Sequence, residues 1–133
     1  MLRLLDTDTC SYAIRGASTN LDTRLASSEA NSLAISVVAR AELMFGLAKR
    51  GNPRALSRLV HGFLDRIAVL RWDAAAADRH ADLRVRLERD GTPIGMFDTM
   101  IAGHALALKA VLVTNNRKRF QKARALKLEN WLG

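Results

Sequence analysis

Apolar positions along this chain fall into two kinds of block. Short apolar runs, too brief for a helix of ordinary length, recur at residues 2–9, 32–35, 67–72, 111–114 and 126–129, and these read as strands. The first of them ends in two carboxylates, Asp6 and Asp8. Between the runs the apolar positions take helical spacing. Residues 10–15 predict a helix that stops at Gly16, and the polar stretch 17–31 predicts a short second helix carrying Leu21 and Leu25. Ser36 caps a helix over 37–49 that ends at Gly51, before Pro53. A helix over 54–64 places Leu56, Leu59, Val60 and Phe63 on one side. An Ala-rich helix spans 74–89, a turn 92–95, a nearly uncharged helix 96–109 and a short helix 117–121. Strands alternating with helices imply an α/β fold, a parallel sheet covered on both faces. Without repeats, low-complexity segments or a dividing linker, residues 1–133 read as one domain.

The chemistry-bearing residues change this picture most at the strand ends. In open α/β sheets the functional crevice lies beyond the carboxyl ends of the strands. If residues 6–8 are extended, Asp6 and Asp8 project to the same side and repel unless a cation or proton lies between them. A divalent-metal site centred on Asp6 is one reading; the other is that Asp6 ends the strand and Asp8 caps the next helix. Glu42 sits among apolar neighbours, off a core face of Met44, Leu47 and Ala48, and points either to solvent or to a polar cleft. Asp98 is the one acid of a helix otherwise apolar all round, hence buried, and it lies in the first turn where the macrodipole favours negative charge. His104 lies about 240° around that helix from Asp98 and reads as a packed histidine. Thr114, Asn115 and Asn116 end the fourth strand at the same edge as Asp6, to support the carboxylates or simply to form an Asx turn. Every candidate ligand is an oxygen and no His or Cys cluster exists, which argues against zinc and suits Mg2+ or Mn2+. Dispersed carboxylates of this kind serve phosphodiester hydrolysis through bound metal.

Charge adds a partner class. The formal net charge is +8, and from Thr99 onward Glu129 is the only acid against seven cations, among them Arg117, Lys118, Arg119 and Lys122. A polyanion such as RNA fits that end, although a solvated basic surface fits it too. The single cysteine, Cys10, lies beside the acids and reads as a small packed residue rather than a nucleophile. With no bilayer-length apolar run and an acid already at position 6, neither a membrane span nor a signal peptide is expected, and the cytoplasm is the expected compartment.

Taken in order, Leu4-Leu5-Asp6-Thr7-Asp8, Ile35-Ser36 with Glu42-Leu43 and Gly46, Pro93-Ile94-Gly95 with Asp98, Ile101-Ala102 and His104-Ala105, Leu112 to Asn116, and Leu128-Glu129-Asn130-Trp131 resemble the PIN-domain ribonucleases of the VapC toxin family. The resemblance implies a three-layer Rossmann-like fold and a Mg2+- or Mn2+-dependent endoribonuclease acting on tRNA or another structured RNA. It also implies a cognate antitoxin and a homodimer, or a heterotetramer or larger assembly with that antitoxin. The family's metal-site acids carry over to Asp6, Glu42 and Asp98, with Asp8, Thr114 and Asn116 in support. Two departures stand out. The family usually has Asn at the place of Asp8, here expected to be a helix cap, and it often has a further acid at or just beyond Asn116, where this chain has none. Two readings compete: a haloacid dehalogenase-type phosphatase, whose motif wants Thr or Val at the place of Cys10, and a non-catalytic nucleic-acid-binding protein.

Overall fold

The computed structural model describes residues Met1–Gly133. Strand β1 (Arg3–Leu5) leads directly into helix α1 (Thr7–Arg15), followed by α2 (Thr19–Ser27), a 3-10 turn, β2 (Leu33–Ser36), α3 (Val37–Lys49) and α4 (Arg54–Arg66). Strand β3 (Ala68–Leu70) precedes the hairpin of α5 (Ala74–Arg89) and α6 (Met96–Leu108). Then come β4 (Val111–Val113), the single turn α7 (Arg117–Phe120) and β5 (Leu128–Glu129). Each strand read from the sequence exists; four are trimmed by one to four residues at an end, because only the paired core of each apolar run forms ladder bonds, while β2 starts one residue later and runs one residue further, through Ser36 paired with Leu70.

All four pairings are parallel, and the strand order is β3-β2-β1-β4-β5. The chain therefore steps outward from β1 through β2 to β3, then returns to the other flank of β1 for β4 and β5. Right-handed crossovers put the helices of these two halves on opposite faces of the sheet, so the α/β reading with a doubly covered sheet holds. The order also reverses between β1 and β4, which makes the crevice at their carboxyl ends the switch point of the sheet. A core of 29 buried residues fills both layers, with Leu4, Leu5, Ile35, Leu112 and Val113 at its centre.

Caps locate the helices. Ser36 Oγ accepts from Val38 N–H at 3.1 Å, and Gly16, in the left-handed region at φ 61°, closes α1. One expectation fails here. Asp6, not Asp8, caps α1: its Oδ1 accepts from Thr9 N–H at 2.9 Å. The helix starts immediately after the strand, so Asp8 is helical, lies in the first turn and is exposed. The extended geometry that would align Asp6 with Asp8 does not occur. Two helix faces are also rotated from expectation. On α3 the buried residues are Val38, Ala39, Leu43 and Leu47, while Ala48 is exposed. On α4 Leu64 is buried in place of Leu59, which is 52% exposed.

His104 joins the two halves. Its Nδ1 is hydrogen-bonded to Ser36 Oγ at 2.9 Å, and burial pulls its pKa down, which favours the neutral ring. This bond ties α6 to the start of α3. At the far edge, Glu129 accepts from Arg3 Nε at 2.9 Å and from Trp131 Nε1 at 3.0 Å, and Arg24 stacks over the Trp131 ring. These contacts fasten the short edge strand β5. No helix is long and apolar enough to cross a membrane.

The α5–α6 hairpin packs so closely that a Cβ at Gly103 would stand 2.7 Å from His80 Cα. Gly103→Ala must therefore part the two helices. It should lower stability by about 1–3 kcal/mol, the usual range for overpacking, as read from urea unfolding midpoints at unchanged slope.

Candidate active site

Asp6 sits where β1 ends. Its N–H donates to Val113 O at 3.0 Å, which pins it against β4 at the switch point. Its side chain is only 3% exposed. Burial raises its pKa, opposed by the hydroxyls of Thr114 and Thr9 and by the Thr9 N–H, and raised further by the charge of Asp8. Glu42 comes from the middle of α3, on the side of the helix next to its core face, and is half-buried. Its Oε1 accepts the Thr7 hydroxyl at 2.6 Å. Burial raises the Glu42 pKa, the Thr7 bond lowers it, and the charges of Asp98, Asp8 and Asp6 raise it again.

Asp98 lies in the first turn of α6. The approach to that helix is fixed by buried Ile94 and by Gly95, whose φ of 97° suits glycine. No side chain caps α6, so its N-terminal dipole remains available to the Asp98 carboxylate. The Asp98 Oδ2 accepts from Arg119 of α7 at 2.6 Å. With the pair partly exposed, it is worth under about 1 kcal/mol and exchanges readily.

Asp6, Thr7, Asp8, Glu42, Asp98, Asn116, Arg119 and Phe120 line one concavity of about 180 Å³ at the switch point. The structure thus brings together the three principal acids expected from the sequence and adds Asp8, which is a wall of the site rather than a cap. Four carboxylates face one guanidinium there. Thr114 lies fully buried below, where its Oγ1 accepts from Asn116 N–H at 2.9 Å. Asn116 itself caps α7, its Oδ1 accepting from Arg119 N–H at 3.2 Å, so its amide oxygen serves a turn rather than the carboxylates. Arg117, Lys118 and Lys122 lie outside this cavity. Lys122 joins Arg86, Arg89 and Arg124 around a second concavity of about 220 Å³, where Asp90 is the only acid. Arg86 and Arg89 were not legible as part of a basic surface, because they arrive from α5. Thr7 was missed for a different reason: read as strand it would point away from Asp6, and only the early start of α1 turns its hydroxyl to Glu42.

The donor set is made of hard oxygens without thiolate or imidazole, which fits Mg2+ or Mn2+. No three acids converge closely enough to share an ion in this conformation. Each of the three already has a partner: Asp6 the N-terminus of α1, Glu42 the Thr7 hydroxyl and Asp98 the Arg119 guanidinium. Cys10 is fully buried, and burial followed by the Asp6 charge pushes its thiol pKa well up, so it is the packed, unreactive residue expected.

Acids gathered at the switch point of a doubly wound sheet define the class, and the PIN-domain family model matches residues 3–126. The chain is 37% identical over 128 residues to the tRNA(fMet)-specific endonuclease VapC of Shigella flexneri, covering 96% of both chains. It is 36% identical over 132 residues to ribonuclease VapC2 of Rickettsia felis, covering 98% of both. Among solved structures it is similar to DNA-bound VapBC from Salmonella typhimurium, at a TM-score of 0.92 and 36% identity over 98% of this chain and 99% of that one. The chain belongs to the PIN-domain family and, within it, to the VapC ribonucleases. That membership favours the nuclease over both the phosphatase and the non-catalytic binder.

The raised Asp6 pKa has a measurable sign. A carboxyl whose folded pKa exceeds its unfolded value destabilises the fold while ionised, and the penalty fades as pH falls through the folded pKa. Asn caps a helix as well as Asp. In EDTA, Asp6→Asn should melt at a higher temperature than the parent at pH 7, and the gap should close on acidification toward pH 4. A lower melting temperature for the variant at pH 7 would contradict this electrostatic account.

Proposed function

We propose that this chain is a divalent-metal-dependent endoribonuclease, the toxin of a toxin–antitoxin pair, acting on tRNA or another structured RNA. One observation carries the reading: carboxylates from α3, α6 and the β1–α1 junction line a single cavity at the switch point, in a chain similar over nearly its whole length to a tRNA endonuclease. Asp6, Glu42 and Asp98 would hold Mg2+ or Mn2+, with Asp8 adding negative charge at the rim. Such an ion supplies a polarised phosphate and a water of lowered pKa.

The chain's own residues do the rest. Asp6 is fixed by its cap bond and by the Val113 carbonyl, so it presents one constant oxygen edge. Glu42 is held in reserve by the Thr7 hydroxyl. The pKa values of Asp6 and Glu42 are raised first by burial and then by neighbouring acids, and a cation at the site would relieve both. Arg117, Lys118 and Lys122, with Arg86, Arg89 and Arg124 nearby in the second concavity, hold the RNA backbone, as salt-sensitive phosphate contacts.

The antitoxin has a place to lie. A groove of about 300 Å³ runs between α1, α3 and α4, floored by Ile14, Leu43, Leu47, Leu56 and Val60. It shares Thr7, Asp8 and Glu42 with the acid cavity, so a segment seated in it also closes the site. Phe45 of α3 and Leu59 of α4 are further exposed apolar side chains on two of these three helices.

The test is cleavage of total RNA by the purified chain. Mg2+ or Mn2+ should support it and EDTA should end it. Glu42→Gln and Asp98→Asn should each lower the rate by more than about 100-fold, since even partners one step removed from a metal cost ~10–100-fold. Cleavage that persists in EDTA, or in both variants at the parental rate, would overturn the proposal.

A further inference from the structure

We infer that Arg119 exchanges partners during the reaction cycle: without metal its guanidinium is the counter-charge of Asp98, and once a divalent ion takes Asp98 the guanidinium moves to a phosphate of the RNA. The inference rests on the metal-nuclease reading above and adds a substrate-contacting residue to it.

Four observations carry it. Arg119 is the one cation lining the acid cavity, and its Nη1 stands 2.6 Å from Asp98 Oδ2. That bond is the only side-chain hydrogen bond Asp98 makes, so a metal that takes Asp98 must compete with Arg119. The backbone of Arg119 is fixed: its N–H donates both to the Asn116 side chain and to the Asn116 carbonyl, each at 3.2 Å, and neighbouring Phe120 is 1% exposed. Its side chain, by contrast, is half exposed and free to turn about that fixed point.

The chemistry of the group points the same way. A guanidinium does not deprotonate in a protein, so it leaves a carboxylate only by exchange. The same planar fork that pairs with a carboxylate pairs with a phosphate. Of the basic residues at this end, Arg117, Lys118 and Lys122 make no ion pair and remain open to the backbone of an RNA; Arg119 alone is turned into the acids. The consequence is a pair of effects with opposite signs. Removing the charge of Arg119 should favour metal binding and disfavour substrate. A purely structural role would not produce that combination.

The experiment compares the parent chain with Arg119→Gln and Arg119→Lys, all matched by circular dichroism. Mn2+ binding is measured by titration calorimetry without RNA, and kcat and KM are then measured at saturating Mn2+. Arg119→Gln should bind Mn2+ ~3- to 10-fold more tightly, the scale set by breaking a partly exposed ion pair and removing a nearby positive charge. Its KM for RNA should rise by a similar factor. Arg119→Lys should lie between parent and Gln in both. In the parent, the Arg119 Nε–H resonance should move as Mg2+ is added, a reading that needs no variant. Unchanged Mn2+ affinity in Arg119→Gln with a stationary resonance overturns the inference. Tighter Mn2+ binding with an unchanged KM also overturns it, since Arg119 would then be a counter-charge and nothing more. A parent chain that binds no Mn2+ at all overturns the metal-nuclease reading itself.

Discussion

Repulsion among four carboxylates at one edge of a parallel sheet is the constraint around which this molecule is arranged. Asp6 is forced there by its position between β1 and α1, with its N–H on the Val113 carbonyl. Asp8, Glu42 and Asp98 are delivered by α1, α3 and α6 to the same cavity. Like charges this close raise one another's pKa, as they do for Asp6 and Glu42 on top of the larger effect of burial. The fold tolerates them by giving three of them separate partners: a helix N-terminus, a threonine hydroxyl and an arginine. With those partners in place, no three of the acids converge closely enough to share an ion.

Much of the remaining architecture can be understood as support for that edge. The buried His104–Ser36 bond ties the helix carrying Asp98 to the start of the helix carrying Glu42. Close contact at Gly103 locks α6 against α5, which sets the height of Asp98 above the sheet. The Glu129 cluster fastens β5 and, beyond it, the return of the chain from α7. In this view the family's ordered motifs are the parts of the sequence that build and brace one crevice.

Strands, helices and most caps were legible because they rest on local chemistry: short apolar runs, Ser36 before an apolar helix, Gly16 and Gly51 after helices. The three principal acids were legible because an acid at a strand end, or alone in an apolar helix, needs a reason. Asp8 was misread because two acids at positions i and i+2 do not reveal which of them caps; the strand stops at Leu5, four residues before the end of the run read as strand, and the cap moves to Asp6. The face of α3 was misjudged because that helix carries apolar residues around most of its circumference, leaving Ala48 outside; on α4 Leu59 and Leu64 lie toward opposite edges of one apolar face, and the sequence does not say which edge is covered. Arg119 was indistinguishable from Arg117 and Lys118 in sequence. Its pairing with Asp98 spans 21 residues and exists only once α6 and α7 meet.

Under the proposed function, a divalent cation draws Asp6, Glu42 and Asp98 from the walls of their shared cavity into one coordination site. Crystals grown with Mn2+ test it most directly through the anomalous signal of the ion. The expected result is a manganese peak bounded by Asp6, Glu42 and Asp98, with Glu42 released from Thr7 and Asp98 released from Arg119. A peak elsewhere, or no peak with both of those bonds intact at millimolar Mn2+, would contradict the account.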